Sequence, residues 1–107
     1  MIFPHIYCPS LHRIDASNAN IAENDIQQLF TQENTVNLLI DLSHVSYLSS
    51  AGLRVLLIAA KTAKQRGGKV AIACVQPSVK DIIVMSGFDK LMAICPDRAT
   101  GMDSLQA

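Results

Sequence analysis

Between Thr35 and Cys95 the apolar positions change period several times, and each change marks an element. Val36 to Leu42 is apolar apart from Asn37 and Asp41, the pattern of a strand covered on both faces. Ala51 to Arg66 is strongly helical in pattern, with Leu53, Leu56, Leu57, Ala60 and Ala63 recurring on one face. Arg54, Ile58, Lys61 and Gln65 lie on its flank, which reads as the wet face with Ile58 as a hint of a partner surface. Gly67-Gly68 stops that helix. Lys69 to Val75 reads as a second buried strand. Gln76-Pro77-Ser78 then turns into a helix over Val79 to Ser86, with Gly87 past its end. Leu91 to Cys95 is a short last strand, and Asp97 to Leu105 a weak closing helix.

The first third is less regular. Ile2 to Cys8 reads as an edge strand interrupted by Pro4 and Pro9, and Leu11 to Asp15 as a second extended piece. Ser17 or Asn18 caps a helix reaching Gln32, whose narrow stripe is Ala22, Ile26, Leu29 and Phe30. From there on strands and helices alternate. That order predicts an α/β layer with right-handed crossovers between parallel strands. With 107 residues the chain reads as one domain, 1–107.

Composition narrows the function. Hydrophobic residues are 50% of the chain, enough for a core. Net charge is +0 and no two basic residues adjoin, which argues against nucleic acid or an anionic membrane as the main partner. Aromatic residues are 5%, too few for a base-stacking platform. The longest apolar run, Val55 to Ala60, is far short of the ~20 residues of a membrane helix. No basic-then-apolar leader opens the chain. Cys8, Cys74 and Cys95 are odd in number and lack metal spacing, so the expectation is a reduced, cytoplasmic protein without metal or cofactor.

The candidate chemistry sits at Tyr47-Leu48-Ser49-Ser50-Ala51-Gly52-Leu53-Arg54, where two serines open the long helix. The common role of a serine there is capping, worth ~1 kcal/mol. The functional alternative is phosphorylation, with the N–H groups of Gly52 and Leu53 and the helix dipole receiving the phosphate. Gly52 would also let a partner's backbone or nucleotide approach closely. A serine nucleophile would need a general base and an orienting group. No Gly-x-Ser-x-Gly elbow surrounds Ser50, so a hydrolase is disfavoured. Asp15 reads as a turn acid whose functional value depends on lying near Ser50. Asp41 reads as structural, bonded to loop N–H groups, and His44 as a solvated loop residue.

Leu39-Ile40-Asp41-Leu42-Ser43 followed by Val45-Ser46-Tyr47-Leu48-Ser49-Ser50-Ala51-Gly52-Leu53 resembles the STAS family, specifically bacterial anti-sigma factor antagonists. Gln65-Arg66-Gly67-Gly68-Lys69 and Val84-Met85-Ser86-Gly87-Phe88-Asp89-Lys90-Leu91 extend the resemblance over about Asp15 to Ile94. It implies a mixed sheet with helices packed mainly on one face. The short stretch before Asp15 leaves the opening β-hairpin either shortened or lacking one strand, with an exposed edge where copies could meet. The family's loop is commonly Asp-Ser-Ser/Thr/Ala-Gly-Leu with the first serine phosphorylated; that serine is Ser50, and Ser49 takes the usual Asp place. Asp15 matches the family's acid near the acceptor.

The resemblance further implies a non-enzymatic, phosphorylation-switched module. Unphosphorylated, it would sequester an anti-sigma factor that is also a serine kinase of the histidine-kinase-like ATPase fold. Asp15, Ser49, Gly52, Leu53 and Arg54 would meet that partner, which would modify Ser50 with ATP and Mg²⁺. A metal-dependent serine phosphatase would reverse the step. The protein would be a monomer or weak dimer. The rival within the family is a constitutive STAS subunit of a bacterial lipid-transport ABC system, bound to its ATPase.

Overall fold

Strand β3 (Leu38–Asp41) is buried along its whole length and is one of the two inner strands of the main sheet. In the computed structural model, which describes residues 4–106, it follows β1 (His5–Tyr7), β2 (Arg13–Ile14) and α1 (Ala19–Gln32). After it come β4 (Tyr47–Leu48), α2 (Ser50–Gln65), β5 (Val70–Ala73) and α3 (Pro77–Met85). A 3₁₀ turn (Phe88–Lys90), β6 (Ala93–Cys95) and α4 (Arg98–Gln106) complete the described chain.

The main sheet has four strands in the order β1-β3-β5-β6. Ile6 pairs with Leu39, Leu39 with Ala71, and Ala71 with Ala93. A separate two-stranded sheet joins β2 to β4, with Ile14 opposite Leu48. A mixed sheet was expected, its opening hairpin shortened or lacking one strand; every ladder among the described residues is parallel, so that hairpin is not formed there. Between β1 and β2 the chain passes buried Pro9, which has no N–H to donate to a ladder. Strand β2 therefore pairs with β4 instead of folding back on β1. Ile2 and Phe3, the start of the expected first strand, lie outside the described residues.

Helices α1, α2 and α3 cover one face of the sheet. Their Ile26, Phe30, Leu56, Val79 and Ile83 pack with Leu38, Ile40 and Ile72 in the principal core. The other face is smaller. Leu39, Ala71 and Ala73 meet Leu105 of α4 there. Gly101 lets α4 approach, since a Cβ on it would stand 2.5 Å from Leu39 Cδ1. The closing helix reads weakly in sequence because only Gly101 and Leu105 of it are fully buried.

The face of α2 differs from the sequence expectation. Its buried residues are Gly52, Val55, Leu56, Ala59 and Ala63, while Leu57 is only half-buried. Small residues at positions 52, 59 and 63 face inward and let the helix lie close to the strands. Choosing the leucines as the stripe therefore turned the face. At α1, Asn18 occupies the N-cap position but does not cap. Its side chain instead accepts from the Asp15 N–H at 2.9 Å and donates to the Arg13 carbonyl at 2.8 Å.

Asp41 closes β3 and is 2% exposed. It accepts from the Ser43 N–H at 2.8 Å and from Arg98 Nε at 2.6 Å. Desolvation pushes its pKa up, but the Ser43 and Arg98 hydrogen bonds outweigh it, and the carboxyl stays below its ordinary value of 3.8. The loop role is as the sequence predicts; Arg98, from the far end of the chain, is not visible there.

A folded pKa below the unfolded one gives stability that is present above the unfolded value and lost as pH falls through the folded value. Arg98→Ala should cost about 1–3 kcal/mol at neutral pH, because Asp41 stays buried with one partner fewer. That difference should shrink below about pH 4, where Asp41 protonates in the unfolded chain. Urea denaturation of both proteins across this pH range measures it.

Candidate functional site

The loop from β3 to α2 is built by short local bonds. Val45 N–H donates to the Leu42 carbonyl at 3.0 Å, turning the chain after the strand. Ser46 N–H donates to the His12 carbonyl at 2.7 Å, and Ser49 N–H to the Ile14 carbonyl at 3.0 Å. These two bonds bracket the β2–β4 pair and deliver the chain to the start of α2.

The two serines take different roles. Ser49 is the N-cap, with extended backbone, and its Oγ accepts from the N–H of Ala51 at 3.2 Å and Gly52 at 3.5 Å. Ser50 is the first helical residue and is exposed, with no hydrogen-bond partner for its hydroxyl among the described residues. The Leu53 N–H already donates to the Ser49 carbonyl at 2.9 Å. The N–H groups of Gly52 and Leu53, expected to await a phosphate, are thus engaged by Ser49. What remains for an anion at Ser50 is the helix dipole and the outward face of the first turn.

Gly52 also differs from expectation. It is buried, and a Cβ there would stand 2.6 Å from the Ile14 carbonyl oxygen and 3.1 Å from Leu48 Cδ2. Its missing side chain accommodates the protein's own β2, so it is not an open approach for a partner's backbone. Leu53 is half-buried against the core. Arg54 is exposed, four residues after Ser50 and therefore on the same side of α2.

Asp15 lies beside this surface. Ile14 pairs with Leu48, so the following residues, Asp15 and Ser49, continue that register. Its carboxylate accepts from the Ser17 Oγ at 2.5 Å and N–H at 3.0 Å, and lies 3.5 Å from Arg13 Nε. The Ser17 bonds, with a smaller contribution from Arg13, hold its pKa below the ordinary value. A fixed negative charge therefore borders the serine loop at neutral pH.

The sequence reading singled out neither Arg13 nor Tyr47 as a site residue. They are cross-strand partners, and the Arg13 guanidinium stands over the Tyr47 ring at 4.9 Å from its centre. Both are exposed. The signal was present only in the pairing of β2 with β4, which brings residues 34 positions apart face to face. His44 is exposed in the loop, as expected.

Ser49→Ala should cost about 1 kcal/mol through loss of the cap, whereas Ser50→Ala should fall within about 0.5 kcal/mol of the parent. Gly52→Ala should cost about 1–3 kcal/mol from overpacking on Ile14, despite alanine's better helix propensity. Equilibrium urea unfolding ranks the three; equal costs at positions 49 and 50 would contradict the division between the serines.

Comparison with known proteins fits this geometry. The model of the STAS domain matches residues 12–101. BtrV of Bordetella bronchiseptica, named as a candidate anti-sigma factor antagonist, is 34% identical over 61 residues, 57% of this chain and 53% of BtrV. The chain thus matches about half the length of that relative. The anti-sigma F factor antagonist of Paenibacillus polymyxa is 24% identical over 93 residues, covering 87% of this chain and 80% of that protein. In fold, the crystal structure of the Thermotoga maritima protein tm1081 superposes with a TM-score of 0.84 at 16% identity, over 95% of this chain and 88% of that one. With most of its length inside the family pattern and its architecture shared, the chain belongs to the STAS domain family.

Proposed function

We propose that this protein is an anti-sigma factor antagonist, a binding module switched by phosphorylation of Ser50. The observation that carries this reading is the separation of the two serines. Ser49 is occupied in holding the helix together, while Ser50 is solvent-facing at the first helical position. A kinase can reach Ser50 without dismantling the cap. The names of BtrV and the Paenibacillus protein support the class of partner.

In this mechanism the unphosphorylated surface around Ser50 docks on an anti-sigma factor of the histidine-kinase-like ATPase fold. Asp15, Leu53 and Arg54 border the contact, together with Arg13 and Tyr47. Ser49 and Gly52 act beneath it, by shaping the helix start. The partner holds ATP and Mg²⁺. The Ser50 oxygen attacks the γ-phosphorus, the bond to the ADP oxygen breaks, and the hydroxyl proton passes to a base on the partner. A phosphoserine brings about −1.5 to −2 charge to the interface. In the free protein the helix start and Arg54 favour that charge against the opposing Asp15, while its desolvation arises only on docking. The phosphorylated state is thus tolerable alone and costly in the complex. A metal-dependent serine phosphatase resets the switch.

Ser50→Ala should retain binding to the anti-sigma partner and take up no phosphate from it in the presence of ATP and Mg²⁺. Ser50→Asp should bind at least about tenfold more weakly, equivalent to 1.4 kcal/mol. Intact-mass spectrometry and titration calorimetry read the two. Phosphate uptake by Ser50→Ala would move the acceptor elsewhere. Stable co-purification with an ABC-transporter ATPase alone, insensitive to Ser50→Asp, would favour the constitutive-subunit reading instead.

A further inference from the structure

One cavity lies away from the serine loop. It has a volume of about 680 Å³, within the size range of small-molecule sites. It opens between the C-terminal half of α2, the starts of β5 and β6, the 3₁₀ turn and the end of α4. Helix α2 links it to Ser50, with Lys64 fourteen residues on, roughly 21 Å along the axis.

Its lining divides by chemistry. Val70, Met92 and Leu105, each no more than 5% exposed, form its apolar floor, and Leu91, 55% exposed, with exposed Ala93 gives the apolar surface open to a ligand. Around them stand Lys61, Lys64 and Lys90, joined by Lys69, which donates to the Ser104 carbonyl at 3.5 Å. Asp89 is the acid in the lining. Four of the nine basic residues and one of the nine acids therefore share this cavity, in a chain whose net charge is +0. Among the described residues, Lys61, Lys64 and Lys90 form no ion pair. Lys64 alone has an ordinary explanation, since a cation in the last turn complements the helix end. Lys61 lies a turn earlier and Lys90 comes from a different element, so helix-end chemistry does not account for their convergence.

We propose that this cavity binds a single-chain anionic amphiphile, its apolar chain along Leu91 and Ala93 over the floor of Val70, Met92 and Leu105, and its head among Lys61, Lys64 and Lys90. A purely polar anion would leave Leu91 and Ala93 uncovered, and a neutral lipid would leave the lysines unused. The head is a carboxylate or a phosphate monoester, the two anions that lysine ammonium groups meet as point charges.

Titration calorimetry of the full chain with dodecanoate and with dodecyl phosphate, both kept below micelle formation, tests the assignment. Dodecyltrimethylammonium serves as the cationic comparator. The expected result is one saturable site in the micromolar range for at least one anion, with the cation at least about tenfold weaker. The tighter of the two anions identifies the head. The triple variant K61Q/K64Q/K90Q alters only exposed side chains. It should keep its thermal melt and lose at least about tenfold in affinity. Ser50→Ala should bind the amphiphile unchanged, which separates this site from the switch. Absence of saturable binding, equal binding of the cation, or an unchanged triple variant would each overturn the proposal.

Discussion

The proposed docking surface depends on one carbonyl. The Ile14 oxygen accepts the Ser49 N–H at 3.0 Å and lies where any side chain on Gly52 would have to go. This single group fixes the start of α2 against β2 in both distance and direction. Ser49 can then cap, and Ser50 emerges at the first exposed helical position. The same contact sets Asp15 and Arg13 beside the loop, because they flank Ile14 in sequence. A larger residue at position 52 would push the helix from β2 and separate the two halves of the site.

Much of this was legible in the chain. The apolar run Val36 to Leu42, broken only by Asn37 and Asp41, and the capped, glycine-terminated α2 are strong local patterns, and the elements lie close to them, at Leu38–Asp41 and Ser50–Gln65. The weaker readings failed for identifiable reasons. Hydrophobicity favours leucines as the buried stripe of α2, but close packing on strands favours Gly52, Ala59 and Ala63. Local sequence placed the phosphate among N–H groups that the Ser49 cap already uses. Arg13 with Tyr47, and Arg98 with Asp41, are contacts between distant segments, and neither period nor motif announces them.

The two faces of the sheet are organised differently. Three helices fill one face with large side chains, while α4, through its own Gly101, lies close on Leu39, Ala71 and Ala73 on the other. The second face gains less from burial, and its start is held by the Arg98–Asp41 pair at the carboxyl end of the central strand. Thr35 adds a comparable polar tie on the other side of the chain, its fully buried hydroxyl within 2.9 Å of His5 Nδ1. Short or weakly patterned segments are thus anchored by specific polar contacts where apolar area is scarce.

The outermost strands of the main sheet, β1 and β6, are three residues each. A neighbouring copy laid along either one could form only a few ladder bonds, each worth about 0.5–1.5 kcal/mol net. Joining two molecules costs an estimated 4–15 kcal/mol or more in lost freedom. Among the described residues, ladder bonds along these strands offset only a part of that cost over most of its range. Any lasting self-association must draw on side-chain surface, and the brevity of these borders works as a safeguard against open-ended stacking of sheets.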